Sequence, residues 1–210
     1  MNTLMQNPVR SLSEIYYNAM DNAMTYGEYR ELVSDLATSD SNSGPEVTPS
    51  LVNYTQLNNK RMNRWDKTLK ISEEIKNKVL SIKTKTTWVV LTESWCGDAA
   101  PSLPVMNKLA ELNPNIELKI VLRDENLELM DLFLTNGARS IPKLVSLNSQ
   151  TKEIISEWGP RSTAATKMVE EYKAEHGQLT AEFKQDLQVW YNKDKGQDIL
   201  NDLANLLALK

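Results

Sequence analysis

The chain has 210 residues, 40% hydrophobic and 25% charged, with a formal net charge of −4, a balance that excludes wholesale disorder and offers no basic excess for nucleic acid. Met1 to Pro8 lacks a basic stretch followed by a continuous apolar core, and no run approaches membrane-spanning length, so a cytoplasmic protein without membrane contact is expected. Cys96 and His176 are the only cysteine and histidine, which rules out an internal disulfide, fits a reducing compartment and leaves no usual ligand set for a zinc site.

Taken in chain order, Leu12, Ile15, Ala19, Ala23 and Tyr26 recur at three- and four-residue steps, predicting an amphipathic helix that Tyr29, Leu32, Val33 and Leu36 extend or follow. The polar run from Ser39 to Pro45 breaks it and is the clearest boundary candidate. From Ser50 to about Ile82 the pattern is helical again. Within it Lys60, Arg61, Arg64, Lys67 and Lys70 surround Trp65, which reads as a solvated basic face with the tryptophan anchored inward rather than as a phosphate-binding face.

Thr87 to Thr92 is a β-rich apolar stretch, and Ala100 to Leu112 has helical spacing. Cys96 therefore falls at a strand-to-helix junction. There, free backbone N–H groups and the helix dipole favour a thiolate, so its pKa is expected below that of a free thiol. Asp98 is read chiefly as a first-turn or capping carboxylate; as a like charge two residues from Cys96 it also opposes the thiolate. Further on, Ile116, Leu118, Ile120 and Leu122 alternate as a strand, and Leu127 to Asn136 reads as a helix stopped by Gly137. Lys143 to Leu147 and Glu153 to Trp158 form an expected antiparallel hairpin, followed by a helix with Ala165, Met168, Val169 and Tyr172 inward. His176 closes that helix beside Gly177, where an imidazole complements the dipole and needs no catalytic role. Two further helical stretches carry Phe183, Leu187 and Trp190, then Ile199, Leu203, Leu206 and Leu207.

Trp95-Cys96-Gly97-Asp98-Ala99 resembles the active-site segment of the thioredoxin-like family, whose usual form is Trp-Cys-Gly-Pro-Cys. Pro104 resembles the proline that kinks the active-site helix, Ile141-Pro142 the Ile-cis-Pro that faces the thiol, and Trp158-Gly159 the close of the last strand. Pro142 follows Cys96 by 46 positions, a separation similar to the family's. The resemblance implies an α/β thioredoxin-like fold, a central mixed sheet flanked by helices, over residues 85–176. It leaves 1–84 as an N-terminal helical extension packed on the core and 177–210 as a C-terminal one, an arrangement similar to a group of bacterial relatives with Trp-Cys-Gly-Asp.

The chemistry does not follow so directly. Disulfide reduction on this fold uses a first cysteine to attack and a second, three residues on, to resolve the mixed disulfide; Ala99 stands at that second position. Val90 stands where dithiol members keep a buried strand acid, and such an acid without a second thiol would be a buried charge without work. Two readings follow. One is single-thiol redox chemistry by Cys96 on a protein or small-molecule disulfide or thiol, with no bound cofactor and an external low-molecular-weight thiol as resolver. The other is a non-catalytic protein- or peptide-binding module using the groove at Ile141 and Pro142, where a cis bond exposes the Ile141 backbone to an extended peptide. Retention of Trp95, Gly97 and Ile141-Pro142 around the thiol favours the first. An exposed Cys96 would also allow two copies to join through one disulfide.

Overall fold

The structure, a computed structural model, describes residues 11–208, and its centre is strand β1 (Thr86–Thr92), buried along its whole length. A continuous apolar run such as Trp88-Val89-Val90-Leu91 suits a strand covered on both faces. On one side β1 pairs in parallel with β2 (Ile116–Leu122), reached through the crossover helix α5 (Ala99–Leu112). On the other it pairs antiparallel with β3 (Lys143–Asn148), which pairs with β4 (Ile154–Trp158), giving the order β2-β1-β3-β4. The expected hairpin is β3–β4: the Asn148 side chain accepts from the N–H groups of Gln150 and Thr151, and a register shift falls between Ser146 and Leu147. The architecture is an α/β thioredoxin-like sheet with additional helices at both ends.

The N-terminal helical run is interrupted where periodicity predicts continuity. Helix α1 (Leu12–Met20) ends, Met24 passes extended along the outer edge of β2, and α2 (Tyr26–Thr38) restarts at a capping box formed by Thr25 and Glu28. Met24 and Ile120 exchange N–H···O bonds in both directions, each 2.8 Å. An open strand edge holds unpaired backbone groups that a helix cannot satisfy, so one extended residue, rather than the helices alone, stands beside β2. Ala23, which carries the helical spacing, falls in this break, and Met24 beside it belongs to the edge.

Thr48 caps α3 (Pro49–Thr68), with Pro49 at the first helical position where its missing N–H costs nothing. Ser72 caps α4 (Glu73–Leu80). The helix expected to reach Asn136 is only α6 (Leu127–Asp131). Asn136 and Gly137 both take positive φ, and Thr135 and Ala138 bond reciprocally across that turn. Leu132 and Leu134, which completed the helical spacing, are 48% and 40% exposed. Phe133 between them is the residue the core takes in, 4% exposed.

Helix α7 (Thr163–His176) follows β4 and stops at Gly177, whose φ of 76° favours glycine. His176 is exposed against Tyr172, with ring centroids 4.2 Å apart. Helices α8 (Ala181–Asp194) and α9 (Gln197–Ala208) complete the chain. Ile199, Leu200 and Leu203 of α9 are fully buried, and α9 packs on α4 and α5. At about 1.5–3 kcal/mol per buried aliphatic side chain, both extensions are bonded into the same core as the sheet. Among the described residues no helix is long and apolar enough to cross a membrane.

Candidate functional site

Two tight turns carry the chain from β1 into α5: the Cys96 N–H donates to the Glu93 carbonyl at 3.1 Å, and the Ala99 N–H to the Cys96 carbonyl at 3.2 Å. Cys96 lies between them, 7% exposed, and its thiol donates to the Ile141 carbonyl at 3.2 Å. The Ile141–Pro142 peptide bond is cis. Gly159 presses against that segment from the start of the next loop. A Cβ there would stand 2.2 Å from the Pro142 oxygen, and its φ of 117° is open to glycine alone.

The thiol differs from its expectation. Burial, and second the Asp98 carboxylate, push its pKa from 9.0 up to about 12. The backbone N–H groups of Ala99 and Asp98 act downward, as a helix start should, but are outweighed. A thiol donating to a carbonyl is also satisfied in its neutral form. At this depth the sulfur is not placed to join two copies.

Asp98 does not cap α5. Its backbone is helical and its side chain makes no capping bond; it turns instead toward the loop before α7 and toward α8, 12% exposed. There it meets Arg161 Nη2 at 2.6 Å and accepts from the Tyr191 hydroxyl at 3.1 Å. Burial raises the Asp98 pKa while the Arg161 charge and these bonds lower it, with burial the larger. Burial and then Asp98 push the Tyr191 phenol upward as well. One turn earlier on α8, Gln188 donates to the Gly97 carbonyl at 3.2 Å. Helix α8 is thus tied across the Gly97–Asp98 turn. Ala99 is 2% exposed, its methyl packed where a second thiol would stand.

On the opposite flank, the supposed boundary loop is part of the site. Ser43 and Ser94 exchange backbone-to-hydroxyl bonds at 3.0 and 2.8 Å, and the Ser43 hydroxyl donates to Glu93. Glu93 is fully buried, takes the Asp124 N–H at 2.8 Å, and has its pKa raised by that burial. A buried acid does precede Cys96, three residues before it rather than six. Thr55 and Asn58 of α3 bond to Ser94 at 2.9 and 3.0 Å. Trp95 is half-buried beneath Arg123, whose guanidinium carbon lies 5.0 Å from the ring centroid.

Between α3 and α8 a cavity of about 590 Å³ opens on Trp95, Cys96, Gly97, Asp98 and Ile141, walled by Leu57, Leu187 and Arg61 among others. Arg61 therefore leaves the solvated basic face on which its spacing put it, while Trp65 is buried as expected. Trp95, Cys96, Gly97, Asp98 and Ile141 meet at this cavity, whereas Ala99 and Pro142 do not line it. Ser43, Glu93, Arg61, Arg161, Gln188 and Tyr191 were not singled out as site residues by sequence reasoning. The usable signal was on α8, where Gln188 shares the inward face of Leu187 and Tyr191. No group of three or more His, Cys, Asp or Glu among the described residues is placed to hold a metal ion.

A family model described as thioredoxin matches residues 44–173, more than half of the chain. The chain belongs to the thioredoxin family. The match begins at Gly44, inside the loop that bonds to Glu93 and Ser94, so the thioredoxin-family sequence pattern takes in α3 and α4 as well as the sheet. No curated protein matches this thioredoxin-family chain. Among solved structures it is similar to a protein of unknown function from Pseudomonas aeruginosa, with a TM-score of 0.63 and 15% identity over 95% of this chain and 98% of that one. It is also similar to an HIV epitope scaffold, with a TM-score of 0.59 and 14% identity over 94% of this chain and 98% of the scaffold. At such identities the likeness is one of fold.

Proposed function

We propose that this thioredoxin-family chain is a binding protein that keeps the groove of the fold and holds Cys96 as a neutral thiol on the groove wall. The observation that carries this reading is the thiol itself: buried, donating to Ile141, and pushed up to about 12 by burial and Asp98. A thiol of that pKa supplies very little nucleophile near neutral pH. The packed methyl of Ala99 removes internal resolution. The ligand is small rather than an extended peptide, because the Ile141 carbonyl that would receive a peptide N–H is engaged by the thiol and α8 lies across the adjacent turn. A reducing cytoplasm suits a protein whose lone cysteine works as a thiol.

A second reading has one observation in its favour, that Cys96 lines the cavity a ligand would enter. In it, the Cys96 thiolate attacks a disulfide, one partner leaves as thiolate, and an external thiol then takes the mixed disulfide, restoring Cys96 and forming a new disulfide. This reading requires the sulfur to ionise in its site. Alkylation by iodoacetamide from about pH 6 to about pH 10, with Cys96→Ser as the blank, separates the two. The expected rate at about pH 8 is on the order of 10² to 10³ below that of free cysteine, and it climbs through pH 10 without a plateau. A plateau below about pH 8.5 overturns the binding reading in favour of single-thiol redox chemistry.

A further inference from the structure

We propose that the cavity beside Cys96 binds a small organic carboxylate with an apolar body, its head group held by Arg61 of α3 and Lys184 of α8. The inference rests on the binding reading above and adds the ligand's class. Both cations line the cavity, and neither forms an ion pair with a carboxylate among the described residues. Arg61 is half-buried, and among the described residues its guanidinium donates only to the neutral Asn58 amide oxygen, at 3.0 Å. Burial lowers its pKa, the mark of a cation whose lost hydration no opposite charge replaces. The one carboxylate on the cavity wall, Asp98, is already committed to Arg161 at 2.6 Å. The cavity therefore has positive charge to spare.

Its other wall is apolar: Leu51, Leu57, Ile141, Leu179 and Leu187 face the same space. A volume of about 590 Å³ falls in the range of small-molecule sites built from an apolar lining and a few placed polar groups. The planar fork of a guanidinium matches a carboxylate with two parallel bonds. A doubly charged phosphate monoester fits less well, because only Arg61 is withdrawn from solvent and Lys184 is exposed. Arg61 and Lys184 come from the two regions flanking the sheet, so the site exists only when both are docked.

Calorimetric titration of the full chain at neutral pH tests this with decanoate as probe and with 1-decanol and decyltrimethylammonium as controls. Decanoate is expected to bind at least tenfold more tightly than decanol, with no binding of the cation. Arg61→Gln should weaken decanoate at least tenfold and leave decanol unchanged, while Arg61→Lys, which keeps the charge but not the fork, should fall between Arg61→Gln and the unsubstituted chain. Absence of decanoate binding, equal affinity for decanol, or equal loss of both in Arg61→Gln overturns the proposal. Should circular dichroism show that Arg61→Gln does not fold, Lys184→Gln decides: its side chain is exposed and unpaired, and an unchanged preference for decanoate over decanol then overturns the assignment. Iodoacetamide reactivity of the same samples keeps the two failures apart. An inert Cys96 without decanoate binding removes the carboxylate alone, whereas a reactive Cys96 removes the neutral-thiol reading whether decanoate binds or not.

Discussion

The turn that carries Cys96 is tied down on two flanks, and the ties differ in kind. On the N-terminal flank Glu93, Ser94, Thr55 and Asn58 are each no more than 2% exposed, and hydrogen bonds to Ser43 and Asp124 join them into a buried network, with Arg61 donating to its Asn58 end. On the C-terminal flank Arg161 and Gln188, which line the cavity, and the buried Tyr191 reach Gly97 and Asp98 through one charge-assisted pair and two hydrogen bonds. A buried network is costly to open because every group it releases is left without water. A pair lining the cavity can exchange one partner for solvent or for a ligand. The first flank fixes where the turn lies, and the second sets the electrostatics of the thiol.

The largest effect should come from breaking the first flank. Glu93→Ala strands the Ser43 hydroxyl and the Asp124 N–H and is expected to cost about 2–4 kcal/mol in urea unfolding. Glu93→Gln, which can bond to both groups, should cost about 1 kcal/mol; equal losses for the two variants would mean that the carboxylate's charge matters more than its bonding.

Next comes the charge on the second flank. Asp98→Asn removes the carboxylate that helps raise the Cys96 pKa, so alkylation at a fixed pH near 8 should quicken by about tenfold, the pH–rate curve moving toward lower pH. The sign follows from like charges: taking away a negative neighbour favours the thiolate. Stability should fall by about 1.5–3 kcal/mol, because Arg161 loses its counter-charge while the amide oxygen of Asn still accepts from it. A slower reaction would show that Asp98 holds the turn open rather than repelling the thiolate.

The smallest expected effect is that of Tyr191→Phe, which deletes one hydrogen bond to Asp98 while the Arg161 pair remains. It should cost about 1 kcal/mol and leave the alkylation rate within about a factor of two. A loss as large as that of Glu93→Ala would erase the distinction between the flanks.

Much of the fold was legible because it follows from local rules. The β-rich stretch from Thr87 to Thr92 read as a buried strand, the β1–α5–β2 order required a parallel pair, and Asn148 with its neighbours marked the β3–β4 turn. The errors share a cause. Ala23 and Tyr26 continue a helical spacing, yet the free edge of β2 draws the intervening Met24 into two backbone bonds. Leu132 and Leu134 likewise continue one, yet the core takes in Phe133 between them. The Ser39 to Pro45 run has linker composition, yet Asn42 is 5% exposed and Ser43 is bonded to the strand end. Periodicity records which face is apolar, not whether another element is waiting to cover it.

Short-range pattern and order along the chain supplied the β1–α5–β2 unit, the β3–β4 hairpin, the strand-to-helix placement of Cys96 and the want of a second thiol at Ala99, whereas the facing of Cys96 by Ile141 and Pro142 came from the resemblance to the thioredoxin-like family. The state of the sulfur was decided by tertiary structure. Helix-start N–H groups favour a thiolate, but the depth of the site and the turning of Asp98 toward Arg161 outweigh them. Desolvation and charge proximity act between residues up to about a hundred positions apart, and only the folded chain sets those distances.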